Sequence, residues 1–181
     1  ESPTSVTAFA PALLAGIMTR VCLLGNADVN LRYELLSRET ARDALLTYDL
    51  REPYDNTIGI ETVSLGAAVA LLNDLDWYLI RFVDLAFVKE PSVSEREWLS
   101  RALAEAIRDD RVDPEDSGRF LKVYGVEQPE PDTDDEPAQA QPPRLVEPML
   151  VTRTGGAVPE YDLRDVDDTV VVRLTKDEFG A

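Results

Sequence analysis

Apolar residues along this chain fall into short blocks whose spacing switches between that of a strand and that of a helix. Val21 to Leu24 is a continuous apolar run closed by Gly25-Asn26-Ala27-Asp28, which predicts a buried first strand followed by a turn. From Leu31 to Tyr48 the positions Leu31, Leu35, Leu36, Ala41, Ala44, Leu45 and Tyr48 share one helical face, with Asn30 placed to cap it. Thr57 to Val63 alternates around Ile58 and Ile60 and predicts a second strand. Ser64 then introduces Leu65 to Leu72, apolar on nearly every side and so a helix suited to burial. Trp77 to Val83 is rich in aromatic and branched residues and predicts a third strand, although the same letters as far as Val88 also suit a continued helix. Ser94 to Arg108 sets Trp98, Leu99, Ala102, Leu103, Ala106 and Ile107 on one helical face, and Ser94 with Glu97 has the capping-box spacing. A charged turn, Asp109 to Ser117, leads to a fourth strand at Phe120 to Val126.

Beyond Val126 the pattern changes. Gln128 to Arg144 carries Pro129, Pro131, Pro137, Pro142 and Pro143 among acidic residues and has almost nothing apolar to bury, which predicts an acidic, Pro-rich linker over 127–145. In the tail, 146–181, Met149 to Thr152 and Thr169 to Leu174 read as strands on either side of a Gly155-Gly156 turn. So few apolar groups seldom fold alone, so the tail is expected to add a hairpin or edge strands to the main sheet. Alternatively it recruits a protein partner or a second copy of the chain. At the other end, 1–17 reads as an N-terminal extension to an 18–126 core domain. Its apolar run, Val6 to Met18, is interrupted by Pro11, is too short for a bilayer core of about 30 Å and follows no basic residue, so a soluble, cytoplasmic protein without a membrane partner is expected. The alternation of strands and helices predicts an α/β fold, a small parallel or mixed sheet flanked by helices. An α+β ferredoxin-like sandwich is the alternative, favoured if the stretch after Trp77 forms a hairpin.

Charge adds an environment to this fold. Asp and Glu number 35 against 18 Lys and Arg, a formal net charge of −17, while the apolar fraction of 44% is ordinary for a folding chain. Only Lys89, Lys122 and Lys176 are lysines. Adaptation to molar salt reconciles these values, because at about 1 M ionic strength the Debye length is roughly 3 Å and neighbouring carboxylates hardly repel. The acidity argues against nucleic acid at low ionic strength. In brine, counterion release loses most of its force, so nucleic acid is neither indicated nor excluded.

Candidate chemistry is sparse. Histidine is absent, which removes Ser-His and Cys-His pairs and imidazole metal sites, and the single cysteine, Cys22, lies inside the predicted first strand as a small hydrophobe. Ligands of α/β sheets bind at the carboxyl ends of strands, which directs attention to Gly25, Asn26, Asp28 and Asn30. That loop lacks the spaced glycines of a dinucleotide fingerprint and the Gly-Lys-Ser/Thr of a phosphate loop, leaving a helix N-terminus able to hold an anion or simply capped by Asn30. Arg81, inside the predicted third strand, either pairs with a carboxylate such as Asp84 or points at an anionic ligand. Asp28, Glu61 and Asp84 could meet on a hard cation, but spacing alone does not bring them together. Asp132, Asp134 and Glu136 fail as a calcium loop because Pro137 stands where the turn needs glycine. No metal and no cofactor is therefore assigned.

The segments Met18-Thr19-Arg20-Val21-Cys22-Leu23-Leu24-Gly25 and Asn30-Leu31-Arg32-Tyr33-Glu34-Leu35-Leu36-Ser37-Arg38-Glu39-Thr40, with Tyr161-Asp162-Leu163-Arg164, resemble an uncharacterised family of halophilic archaea. The resemblance runs from Met18 to the C-terminus and implies a saline source; it implies no activity and no site residues. The expectation is a non-enzymatic binding or regulatory module. Its competitor is a carboxylate- or arginine-based enzyme, or a nucleotide-binding protein, that uses the 25–30 loop.

Overall fold

The computed structural model describes residues 18–129 and 141–180, so the N-terminal extension and most of the acidic linker lie outside the described residues. The fold is mixed α/β, built on one seven-stranded sheet. The strands are β1 (Thr19–Gly25), β2 (Thr57–Thr62), β3 (Val83–Lys89), β4 (Trp98–Ser100), β5 (Phe120–Glu127), β6 (Arg144–Thr152) and β7 (Asp168–Leu174). Their order is β2-β1-β3-β4-β7-β5-β6, and every pair is antiparallel except β4 with β7. From the tail, β6 forms an edge of the sheet. Its other strand, β7, lies inside the sheet, with Val172 between Trp98 of β4 and Lys122 of β5.

The helices are α1 (Leu31–Leu36), α2 (Glu39–Leu45), α3 (Leu65–Asp74), α4 (Asp76–Phe82), α5 (Arg101–Arg108) and α6 (Lys176–Phe179). Helices α1 to α5 cover one face of the sheet, where Leu31, Leu35, Leu45, Leu72, Leu75, Leu103 and Ile107 bury Val21, Leu23, Ile58, Ile60, Val88 and Leu99. The opposite face has its own core of Cys22, Phe87, Trp98, Tyr124, Val126, Val170, Val172 and Leu174. It is covered by Phe179 of α6, Tyr54 and Leu145. The Asp55 amide donates to the Pro143 carbonyl at 2.8 Å, so the loop before β2 reaches the start of β6 and links the two edge strands. No helix among the described residues is long and apolar enough to cross a membrane.

Three local expectations are corrected. The helix expected over Leu31 to Tyr48 is broken into α1 and α2, because Arg38 takes an extended backbone (φ −110°, ψ 126°); after the break Ala41 and Leu45 re-enter the core below Leu31 and Leu35. The strand expected at Trp77 to Val83 is helix α4, and the strand starts where that helix ends. Burial explains this: Leu75 and Leu79, four apart, are buried while Trp77 and Ile80 are 49% and 71% exposed, a one-sided pattern that alternation cannot produce. The long helix expected from Ser94 begins only at Arg101. Trp98 and Leu99 are both buried, on opposite faces of β4, and Ser100 rather than Ser94 accepts the capping bond, from Leu103 N–H.

Candidate functional site

The 25–30 loop is held together by its own hydrogen bonds. Gly25 N–H donates to Asn56 O at 2.9 Å, Asn26 N–H to Phe82 O at 2.9 Å, and Asn26 Nδ2 to Arg81 O at 3.2 Å. Asn30 Oδ1 accepts from Tyr33 N–H as the cap of α1. Asn56, in the left-handed region at φ 58°, binds both the Leu31 amide and the Asn26 carbonyl. Any Cβ on Gly25 would lie 2.7 Å from Asn56 Nδ2 and 2.9 Å from Leu31 Cβ, so glycine is required there by close packing. Asp28 and Asn30 line an open depression of about 490 Å³ with Arg32, Glu52, Asp55 and Asn56.

Arg81 is not a strand residue but sits in the last turn of α4. Its Nη1 donates to Trp77 O at 2.9 Å and its guanidinium lies 3.7 Å from the Trp77 ring centroid. The structure thus brings the backbone of Arg81 to Asn26 and directs its side chain to Trp77. Among the described residues no three His, Cys, Asp or Glu groups lie close enough to hold a metal ion, so Asp28, Glu61 and Asp84 do not converge. Burial pushes the Cys22 thiol up to about 12, against the opposing hydrogen bond with Thr57.

A larger cavity, about 810 Å³ and at least as open to solvent as the first, lies beside the start of β5 and the ends of β6 and β7. Arg119, Arg153 and Arg173 line it, which is unusual in a chain with so few cations. Its construction follows from strand register. Arg173 faces Leu99 on one side and Leu121 on the other, on the helix-covered face of the sheet. Arg153 follows β6, and its amide donates to Arg119 O at 2.8 Å. A short 3₁₀ turn, Pro114–Asp116, ends in Ser117, whose buried hydroxyl donates to Pro114 O at 2.6 Å and accepts from Arg173 Nη1 at 3.0 Å.

Glu97 is the hub. Its Oε1 accepts from Arg173 Nε at 2.7 Å and from Arg153 Nη2, while Arg153 Nε donates to Gly118 O at 2.8 Å. The side chains are 15% exposed for Glu97 and Arg173 and 21% for Arg153, so water only partly screens the charges. Burial alone pushes the Glu97 carboxyl up, yet the hydrogen bonds and positive charge of Arg153 and Arg173 outweigh it and hold the group below the usual carboxylate range. Among the described residues, Arg153 Nη1 and Arg173 Nη2 carry no hydrogen bond, which leaves guanidinium donors beside the cavity.

Residues 19–126 match the model of a family of unknown function, DUF5804. The chain belongs to the DUF5804 family. The match includes Glu97, Ser117, Gly118 and Arg119 of this DUF5804 protein, whereas Arg153 and Arg173 come from the segment beyond it. No curated protein and no solved structure matches the chain.

The arginine cavity carries no local motif in the sequence. The spacing of Ser94 and Glu97 suits a capping box, yet Ser94 Oγ accepts from the Arg96 and Glu97 amides in a local turn and the Glu97 carboxylate goes to the arginines. The available signal was Arg173, a cation within Val170-Val171-Val172-Arg173-Leu174. Arg81 has the same apolar surroundings in sequence, yet it lies on a helix surface.

Proposed function

We propose that this DUF5804 protein is a non-enzymatic binding module, adapted to concentrated salt and working in the cytoplasm, that holds a small anionic ligand in the cavity of Arg119, Arg153 and Arg173. The observation that carries this reading is the Glu97 carboxylate held between the guanidiniums of Arg153 and Arg173, which line the cavity: the protein already presents an oxyanion to these arginines, and among the described residues Arg153 Nη1 and Arg173 Nη2 carry no hydrogen bond. Arginine suits this task because its planar fork matches carboxylate and phosphoryl oxygens and its charge does not titrate. The absence of histidine and the suppressed ionisation of Cys22 support a binding role over catalysis. The net charge of −17 with three lysines, together with the resemblance to a halophilic archaeal family, supports the saline cytoplasm.

The test is calorimetric titration of the full chain in about 2 M KCl, where long-range charge attraction is screened, with acetate and inorganic phosphate as probes. Saturable binding that disappears in Arg153→Gln and Arg119→Gln variants supports the reading. Heats indistinguishable from dilution for both probes would overturn it.

The sheet edges bear on protein partners. Pro148 interrupts the donor row of β6, and Tyr161 OH donates to the Glu147 carbonyl at 2.7 Å. On the far side, Arg51 exchanges two backbone hydrogen bonds with Gly59 of β2. Met149 to Thr152 of β6, with Leu150 exposed, is the stretch at which we propose a partner strand or a second copy would add.

A further inference from the structure

The cavity of Arg119, Arg153 and Arg173 also has a negative side. Glu115 and Asp116, both exposed on the 3₁₀ turn, line the same space. Two carboxylates and three guanidiniums line the cavity, and they are not evenly mixed: Glu115 and Asp116 stand together on the turn, whereas Arg153 and Arg173 are held together by Glu97 from outside the lining. The two sides are close. Asp116 is two residues from Gly118, whose carbonyl accepts from Arg153 Nε, and two residues of chain span at most about 7 Å. Val93, Pro114 and Phe120 supply apolar surface within the same cavity, against which a short carbon skeleton can rest.

A ligand that is only an anion leaves Glu115 and Asp116 facing it, which weakens its binding. One that is only a cation meets the arginines. Resting on the anion-binding reading above, we infer that the ligand is a zwitterion of the amino-acid class, its carboxylate on Arg153 and Arg173 and its ammonium on Glu115 and Asp116.

The experiment is isothermal titration of the full chain in about 2 M KCl with five probes. Acetate and inorganic phosphate carry only the anion, n-butylammonium carries only the cation, and glycine and δ-aminovalerate carry both at short and long separations. The expected result is that at least one zwitterion binds about tenfold tighter than acetate, the worth of one added charge-assisted hydrogen bond. That margin should vanish in a Glu115→Gln/Asp116→Asn double variant, whose changes lie on an exposed turn. Zwitterions that bind no tighter than acetate overturn the inference and leave the anion reading standing. Butylammonium as tight as either zwitterion likewise overturns it. Failure of both acetate and phosphate removes the anion reading and this inference with it.

Discussion

Replacing Glu97 by Gln keeps the shape of the side chain and removes the charge that two guanidiniums share. The amide oxygen can still accept from both guanidiniums, so hydrogen bonds worth about 1.5–3 kcal/mol each with a charged partner are weakened, and the attraction between opposite charges is removed. Two positive groups are then left facing each other at 15% and 21% exposure. Breaking a fully buried pair costs about 3–5 kcal/mol and an exposed one about 0–1 kcal/mol. At this burial the expected loss is about 2–3 kcal/mol, which for a chain of this size lowers the melting temperature by roughly 5–10 °C. Circular dichroism melts in about 2 M KCl provide the assay, since part-buried charges are screened much less than surface ones. Acid titration gives an independent check. The Glu97 carboxyl is held below its ordinary value, so its contribution is fully present above the unfolded glutamate value of about 4.3 and is lost as pH falls through the lower folded one. The Glu97→Gln variant should therefore lose less stability than wild type across that acid window. A melting temperature within about 1 °C of wild type, with an unchanged acid limb, would refute the assignment of Glu97 as the group that holds Arg153 and Arg173 beside the cavity.

Other expectations are independent of the cavity. Raising KCl from about 0.1 M to 2 M should increase the melting temperature markedly as carboxylate repulsion is screened; a flat salt response would remove the reading of the acidic surface. Gly125→Ala places a methyl group 2.8 Å from a Tyr161 ring carbon and should cost about 1–3 kcal/mol in a chemical denaturation series. Most of that cost should disappear in a Tyr161→Ala background, and an undiminished cost there would mean that the clash lies elsewhere. Cys22, fully buried and with its thiol pushed up to about 12, should react with a thiol reagent only on unfolding; rapid labelling of the native chain would contradict its burial.

The parts of this fold that could be read from sequence are those governed by local chemistry. Asn30 and Ser64 cap their helices as their side chains suggest, and β1, β2, β5 and β7 follow their apolar runs. Misreadings arise where two local patterns coincide. Trp77 to Phe82 carries strand-favouring aromatic and branched residues, but burial of Leu75 and Leu79 together decides for a helix. Trp98 and Leu99 fit the face of the following helix, yet pairing with β3 and β7 draws them into the sheet and moves the cap to Ser100. The arginine cavity was hidden for a different reason. Glu97 meets Arg153 and Arg173 across 56 and 76 residues of chain, contacts set by placing β7 between β4 and β5, and no periodicity along the chain encodes that placement.

The most direct test of the binding cavity is to follow the arginine Nε–H resonances of the ¹⁵N-labelled chain by NMR during an acetate titration in about 2 M KCl. The expected result is saturable shifts at Arg153 and Arg173, which line the cavity and whose Nε–H groups are already hydrogen-bonded, with Arg81, which does not line it, unmoved. Shifts absent at both, or equal at Arg81 and at the cavity arginines, would contradict a ligand site there.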